Sequence, residues 1–151
     1  MRLEPTTAED APALAVVHAR AFDHGWRAEE IAALIRSPGG LGLCVREADT
    51  VLGFVLVRAI AGQAEILTLA VEPAARRRGI ARALITAAMA AARAAGAEAM
   101  FLEVAADNAA ALGLYAAAGF ADVGVRPGYY RRETGAADAR VLRRDLNTPF
   151  A

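Results

Sequence analysis

Apolar positions along this chain change period several times, and each change marks an element. Leu84, Ile85, Ala88, Met89 and Ala92 fall on one helical face, while Arg82, Thr86 and Arg93 lie elsewhere. That spacing predicts a helix over about 79–95, with Gly96 as its C-terminal stop. Upstream, residues 41–46 and 51–57 read as strands joined by Glu47-Ala48-Asp49-Thr50, a hairpin-length connection. Residues 64–71 form a third run, closed by Glu72-Pro73, because proline pushes the residue before it into an extended conformation. Residues 100–104 make a further strand, Asp107-Asn108 caps a helix to Ala118, and Gly119 ends it. Residues 120–125 and 139–146 are the last strands. At the start, Thr6-Thr7-Ala8-Glu9-Asp10 offers cap residues and first-turn acids for a helix over about 8–21. A second, short helix runs from Trp26 or Arg27 to Arg36 and stops at Ser37-Pro38-Gly39-Gly40.

The resulting order, with an opening strand, is β-α-α-β-β-β-α-β-α-β-β. It predicts an α/β chain with a central mixed sheet flanked by helices. The β-α-β stretch over 64–104 is expected to be a right-handed parallel crossover. Alanine is abundant but spread over the helices, and there is no repeat or linker. At 151 residues and 56% hydrophobic content, the chain is expected to be one domain, 1–151, with a real core, which excludes disorder.

Charge and cysteine content narrow the function classes. Seventeen basic residues balance seventeen acidic ones, so bulk charge draws the chain to neither nucleic acid nor an anionic membrane. Cys44 is the single cysteine; it forms no internal disulfide and no all-cysteine metal site, and its apolar neighbours place it in the core. His18 and His24 lack metal-site spacing, so no metal is expected. Met1-Arg2-Leu3-Glu4-Pro5 contains no signal-peptide core, and Arg82, Arg93 and Gly96 interrupt the alanine-rich stretch. A soluble, cytoplasmic protein with no membrane or direct nucleic-acid partner is the expectation.

Candidate chemistry concentrates in two strings. In Val71-Glu72-Pro73-Ala74-Ala75-Arg76-Arg77-Arg78-Gly79-Ile80-Ala81-Arg82 a strand ends, a basic loop follows and a helix starts. By itself a basic run reads as a solvated surface loop. A strand, Arg-x-x-Gly-x-Ala and an amphipathic helix together favour an anion site, because N–H groups at a helix start have no partners and face the positive dipole end. It is neither a Walker loop nor a three-glycine dinucleotide fingerprint. The second string begins at Glu103, a carboxylate in an otherwise apolar strand, where it needs water, a partner or a substrate. A wet strand end is the plain alternative. It continues as Asn-x-x-Ala-x-x-Leu-Tyr-x-x-x-Gly-Phe from Asn108 to Phe120. Asn108 alone reads as a helix cap, and Tyr115, beside Leu112 and Ala116, as a core aromatic.

These strings resemble the GNAT acetyltransferases, whose acyl-CoA motif, Gln/Arg-x-x-Gly-x-Gly/Ala, is matched by Arg76-Arg77-Arg78-Gly79-Ile80-Ala81. Within that family the resemblance is strongest to the bacterial ribosomal-protein alanine N-acetyltransferases. Leu102-Glu103-Val104, Asp107-Asn108-Ala109-Ala110-Ala111, Leu114-Tyr115, Gly119-Phe120, Arg126, Tyr129-Tyr130, Gly135 and Asp138-Ala139 carry it. Ala105 and the charged stretch Arg131-Arg132-Glu133-Thr134 depart from it.

The resemblance implies the GNAT fold, with the strand before the arginine loop splayed from its neighbour, and acetyl-CoA as co-substrate. The backbone of Leu69, Ala70 and Val71 would bond the pantetheine arm, and the stretch Arg76, Arg77, Arg78, Gly79, Ile80, Ala81 and Arg82 would hold the phosphates. Asn108 would contact the cofactor, and Tyr115 would protonate the departing thiolate. Attack on a thioester needs a free amine, so a proton acceptor is required, and Glu103 is the candidate base. The implied acceptor is a protein N-terminus, that of a ribosomal protein by the closer resemblance. A small-molecule amine and a catalytically silent acyl-CoA sensor stay open beside it. Trp26 and Tyr129-Tyr130 either line a peptide groove or are ordinary aromatics. Oligomeric state is not legible.

Overall fold

The computed structural model describes residues 1–132 and 135–147, apart from the side chains of 130–136. The elements are β1 (Arg2–Pro5), α1 (Ala11–Ala21), α2 (Ala28–Arg36), β2 (Gly40–Glu47), β3 (Thr50–Ile60) and β4 (Gln63–Val71). They continue with α3 (Ile80–Ala94), β5 (Ala99–Ala105), α4 (Ala109–Ala117), β6 (Ala121–Arg132) and β7 (Gly135–Asp145). The order read from the sequence is therefore the order of the fold. One sheet runs β1-β2-β3-β4-β5-β7-β6. Its neighbours are antiparallel except β4 and β5, which are parallel across α3.

Both faces of the central strands are covered, which explains the unbroken apolar run in β3. The α3 face packs Leu84, Ile85, Ala88 and Met89 against Val55, Val57, Ile66, Met100 and Leu102. On the other face, Leu14, Val17 and Ile31 of α1 and α2 meet Cys44, Phe54 and Leu56. Cys44 is fully buried, and burial pushes its thiol pKa up, so it belongs to the core as expected.

Two expectations need correction. The first helix is shorter than 8–21: Ala8–Asp10 is a separate 3-10 turn, and α1 starts at Ala11. Pro12 lacks an N–H and fits only the first helical turn, which sets that start. The final strands are also longer than 120–125 and 139–146. Arg131 and Arg132, read as part of a charged loop, extend β6, while Glu133-Thr134 lies outside the described residues.

The feature that positions the site is a fork between β4 and β5. They pair only at Gln63↔Ala99, Ala64↔Met100 and Glu65↔Phe101. Past that point β4 stays with β3 as far as Val71, whereas β5 stays with β7 as far as Ala105. A register shift at Leu56/Val57, which face Thr68 and Ile66, leaves Leu67 as an extra residue in β4. Such a bulge bends its strand, and here it lies where the strands part. The splay expected from the family resemblance is thus present in the register.

A buried histidine ties α1 to this region. His18 is 2% exposed and stacks on Phe22 and Trp26 at ring distances of 4.5 and 4.9 Å. The Trp26 N–H donates to its Nδ1 at 3.1 Å, so Nε2 carries the proton and donates to Thr68 Oγ1 at 3.1 Å. Burial pulls the His18 pKa from 6.5 down to about 4, against a smaller opposing pull from Glu30. The unfolded chain takes up this proton below 6.5 and the folded chain only near 4, so stability falls as pH drops through that window. At about 1.4 kcal/mol per pKa unit the loss is at most about 3 kcal/mol. Urea melts of wild type and H18Q at pH 7.5 and 4.5 check this. The wild type should lose more stability than the variant over that range, and an equal loss would remove the assignment.

Among the described residues, no helix is long and apolar enough to cross a membrane, and no group of three His, Cys, Asp or Glu is placed to hold a metal ion.

Candidate active site

On one side of the fork, β4 ends in Leu69, Ala70 and Val71, of which Ala70 is buried and the others half-buried. The chain then turns under restraint. The Glu72 N–H donates to Leu52 O at 2.7 Å, and Arg20 Nη1 meets Glu72 Oε1 at 3.0 Å. Past Pro73–Ala75 the backbone takes a positive φ at Arg77 (66°) and again at Gly79 (77°). Gly79 is left-handed and the next residue, Ile80, is right-handed as the start of α3, a pairing that turns consecutive N–H groups toward one point, the geometry of an anion nest. The first-turn N–H groups of α3 follow at once, and no side chain caps them.

Besides its φ, the surroundings of Gly79 are open. A Cβ built on it meets nothing within 4 Å, so the space over the helix start is open to a ligand. Ile80 is buried and anchors the helix, Ala81 is half-buried, and Arg76, Arg77, Arg78 and Arg82 are exposed around the opening. Arg78 is already engaged: its Nη2 donates to Glu47 Oε2 at 2.7 Å. That bond, more than the accompanying charge attraction, holds the Glu47 carboxyl below its ordinary pKa.

Across the fork stands Glu103. Leu102 and Val104 beside it are buried in the α3-side core, so strand alternation turns Glu103 to the opposite face. There it lines a cavity of about 510 Å³ with Arg58, Ile60, Glu65, Phe101 and Val141. The cavity straddles the point where β4 and β5 separate. The Glu103 side chain is 22% exposed, and Arg126 Nη1 donates to its Oε1 at 2.7 Å. Arg143 lies over the Phe101 ring at 5.8 Å.

The same side carries α4. Asn108 Oδ1 accepts from the Ala111 N–H at 3.1 Å, so the capping reading of this residue is realised. Tyr115 is 6% exposed and meets Phe120 edge-on at 5.5 Å. The helix end is fixed by Arg144, a buried cation whose Nε donates to Ala118 O at 3.2 Å. Gly119 (φ 89°) makes room for it, since a Cβ there would lie 2.6 Å from that nitrogen.

The two strings picked out from the sequence therefore face each other across one fork, as strand end, loop and α3 start on one side and β5 with α4 on the other. Trp26 is half-buried on His18, and Tyr129 is 51% exposed beneath Arg126 at 4.8 Å; the Tyr130 side chain lies outside the described residues. Sequence reasoning missed Arg58, Glu65 and Phe101 as cavity walls. The alternation of Gln63 and Glu65 with buried Ala64 and Ile66 was the available signal, because it marks an open strand face.

Residues 11–120 match the model of the acetyltransferase (GNAT) family. The chain belongs to the GNAT family of acetyltransferases. It is an acetyl-CoA-dependent N-acetyltransferase, and the expected fold class is the observed one. A Mycobacterium tuberculosis protein named N-alpha-acetyltransferase RimI is 35% identical over 149 residues, covering 95% of this chain and 91% of that protein. The crystal structure of the ribosomal-protein-S18-alanine N-acetyltransferase from Escherichia coli superposes with a TM-score of 0.91 at 25% identity, covering 98% and 95% of the two chains. An uncharacterised Mycobacterium leprae protein, ML0378, is 38% identical over 104 residues, 66% of this chain, which spans only 28% of that relative's length.

Proposed function

We propose that this GNAT enzyme acetylates the α-amine at a protein N-terminus, with alanine of a ribosomal protein as the acceptor. The reading assigns the whole chain to one catalytic domain working in the cytoplasm. The observation that carries it is Glu103, a carboxylate on the wall of an open cavity at the fork. Near pH 7 an α-amine is the easier group to deprotonate, with an unperturbed pKa of roughly 7.7–8.0 against about 10.4 for lysine. Similarity to one protein named as an N-alpha-acetyltransferase and to another named as a ribosomal-protein-S18-alanine N-acetyltransferase supports the same class of acceptor.

In this reading the pantetheine arm lies in the fork along the backbone of Leu69, Ala70 and Val71. The pyrophosphate rests on the nest and helix start from Arg76 to Arg82, and Asn108 contacts the cofactor from across the fork. The acceptor enters from the cavity side. Glu103, directly or through a water, takes a proton from the amine, and the nitrogen then bonds the acetyl carbonyl carbon. Backbone N–H groups of the splayed strand polarise that carbonyl. The carbon–sulfur bond breaks, Tyr115 gives its hydroxyl proton to the leaving thiolate, and the second proton lost by the nitrogen returns the tyrosinate to its neutral form through solvent. No covalent enzyme intermediate is needed.

The test is a pair of peptides, one with a free N-terminal alanine and no lysine, the other N-terminally blocked with one free lysine. Acetylation followed by mass spectrometry should give at least about tenfold faster transfer to the first. A preference for lysine, or for small amines over both peptides, would sink the N-terminal acceptor and leave the family assignment standing.

A further inference from the structure

Glu103 is held by a residue from two strands away. Glu103 pairs with Val141 of β7, and Val141 in turn pairs with Gly124 of β6. Arg126 lies two residues beyond Gly124 and so projects from the same face. Between Arg126 and Glu103 the sheet presents Ala139, which pairs with Arg126 and leaves room for a long side chain to cross.

The backbone around Arg126 is built for that reach. The register passes from Arg126↔Ala139 to Tyr130↔Ala137, so β6 carries extra residues at Pro127-Gly128. Gly128 takes φ 63°, and its N–H donates to Asp138 Oδ1 at 2.9 Å, closing the bulge. The Ala106 N–H donates to Asp138 O at 2.8 Å, which ties the same residue to the end of β5. The Tyr129 ring lies against the Arg126 guanidinium at 4.8 Å. Arg126 is thus gripped by an aromatic face while its Nη1 bonds the carboxylate.

We propose that Arg126 is a positioning residue, fixing the Glu103 carboxylate toward the acceptor cavity. The proposal rests on the reading of Glu103 as proton acceptor. A guanidinium stays charged at every working pH, so Arg126 cannot take the amine proton itself. Its contribution is orientation: a carboxylate on a half-open strand face has several rotamers, and a charge-assisted bond selects one of them.

The experiment compares R126A, R126K and R126Q, each in the wild-type and the E103Q background, with the alanine-terminated peptide. In the wild-type background R126A should lower kcat about 10-fold to 10²-fold while KM for acetyl-CoA changes less than about twofold. R126K should recover most of the loss, and R126Q should fall between. In the E103Q background none of the three should slow the enzyme further, because a residue acting through Glu103 has nothing left to position. A similar further slowing of E103Q by R126A or R126Q, or a kcat unchanged or raised by R126A, would overturn the proposal. R126K and R126Q keep the test valid should R126A fail to fold. E103Q alone separates the two readings: if it is as fast as wild type, the base assignment has failed first.

Discussion

Glu103→Gln is expected to slow acetyl transfer by roughly 10²–10⁴-fold at neutral pH, the range typical for loss of a positioned general base. Glutamine keeps the length and the hydrogen-bonding capacity of the side chain, so the bond from Arg126 at 2.7 Å has an acceptor in the variant. The side chain is partly solvated rather than core, and its substitution leaves the buried neighbours Leu102 and Val104 in place. A loss of rate therefore reports on proton transfer rather than on folding. The pH dependence adds a second reading. As pH rises from 6 to 9 the acceptor amine passes through its own pKa, roughly 7.7–8.0, and arrives increasingly deprotonated. The defect of the variant should shrink accordingly. Rates across that range, at saturating acetyl-CoA, give both results at once. A variant as fast as wild type at every pH would hand the proton to water or to another side chain.

How far the sequence foretells this arrangement depends on the range of the interactions involved. The apolar stripe of α3 is local, and all its predicted members are buried, with Ile80 buried beside them. Residues 51–57 are equally legible, since a strand covered on both faces must be apolar throughout. Pro127-Gly128 hides the length of β6 from a sequence reading, because proline and glycine inside a strand pattern usually end it. Here they sit in a bulge, and the strand continues to Arg132. The fork is harder still. Apolar residues in β4 and β5 look the same whether the strands pair or part, and only the register separates the cases. The contacts of Arg126 with Glu103 and Arg78 with Glu47 join residues 23 and 31 positions apart. Charge identity alone cannot choose such partners, whereas sheet order can. The phosphate end was legible for the opposite reason: strand end, loop, glycine and helix start are consecutive, so the whole constellation lies in one short string.

That string also supports the sharpest expectation about ligand binding. Gly79→Asp should weaken acetyl-CoA by about 10²-fold, whereas Gly79→Asn should weaken it much less. The two side chains have nearly the same shape, and asparagine and aspartate tolerate left-handed backbone better than other non-glycine residues, which φ 77° requires. Neither meets a protein atom at Cβ, since nothing lies within 4 Å of that position. Both variants should therefore fold. The acidic one also places its charge at the positive end of the α3 dipole, which does not weaken the helix. What distinguishes them is the carboxylate beside a proposed pyrophosphate site. Like charges about 4 Å apart in a partly screened setting repel by on the order of 1–4 kcal/mol, and about 2.7 kcal/mol corresponds to a hundredfold in affinity. Titration calorimetry of the three proteins with acetyl-CoA, beside thermal melts showing that each is folded, measures the difference. Equal affinity for Gly79→Asp and wild type would place the pyrophosphate away from this helix start. Equal losses in both variants would mean that bulk at Gly79, rather than charge, is what the cofactor cannot accommodate.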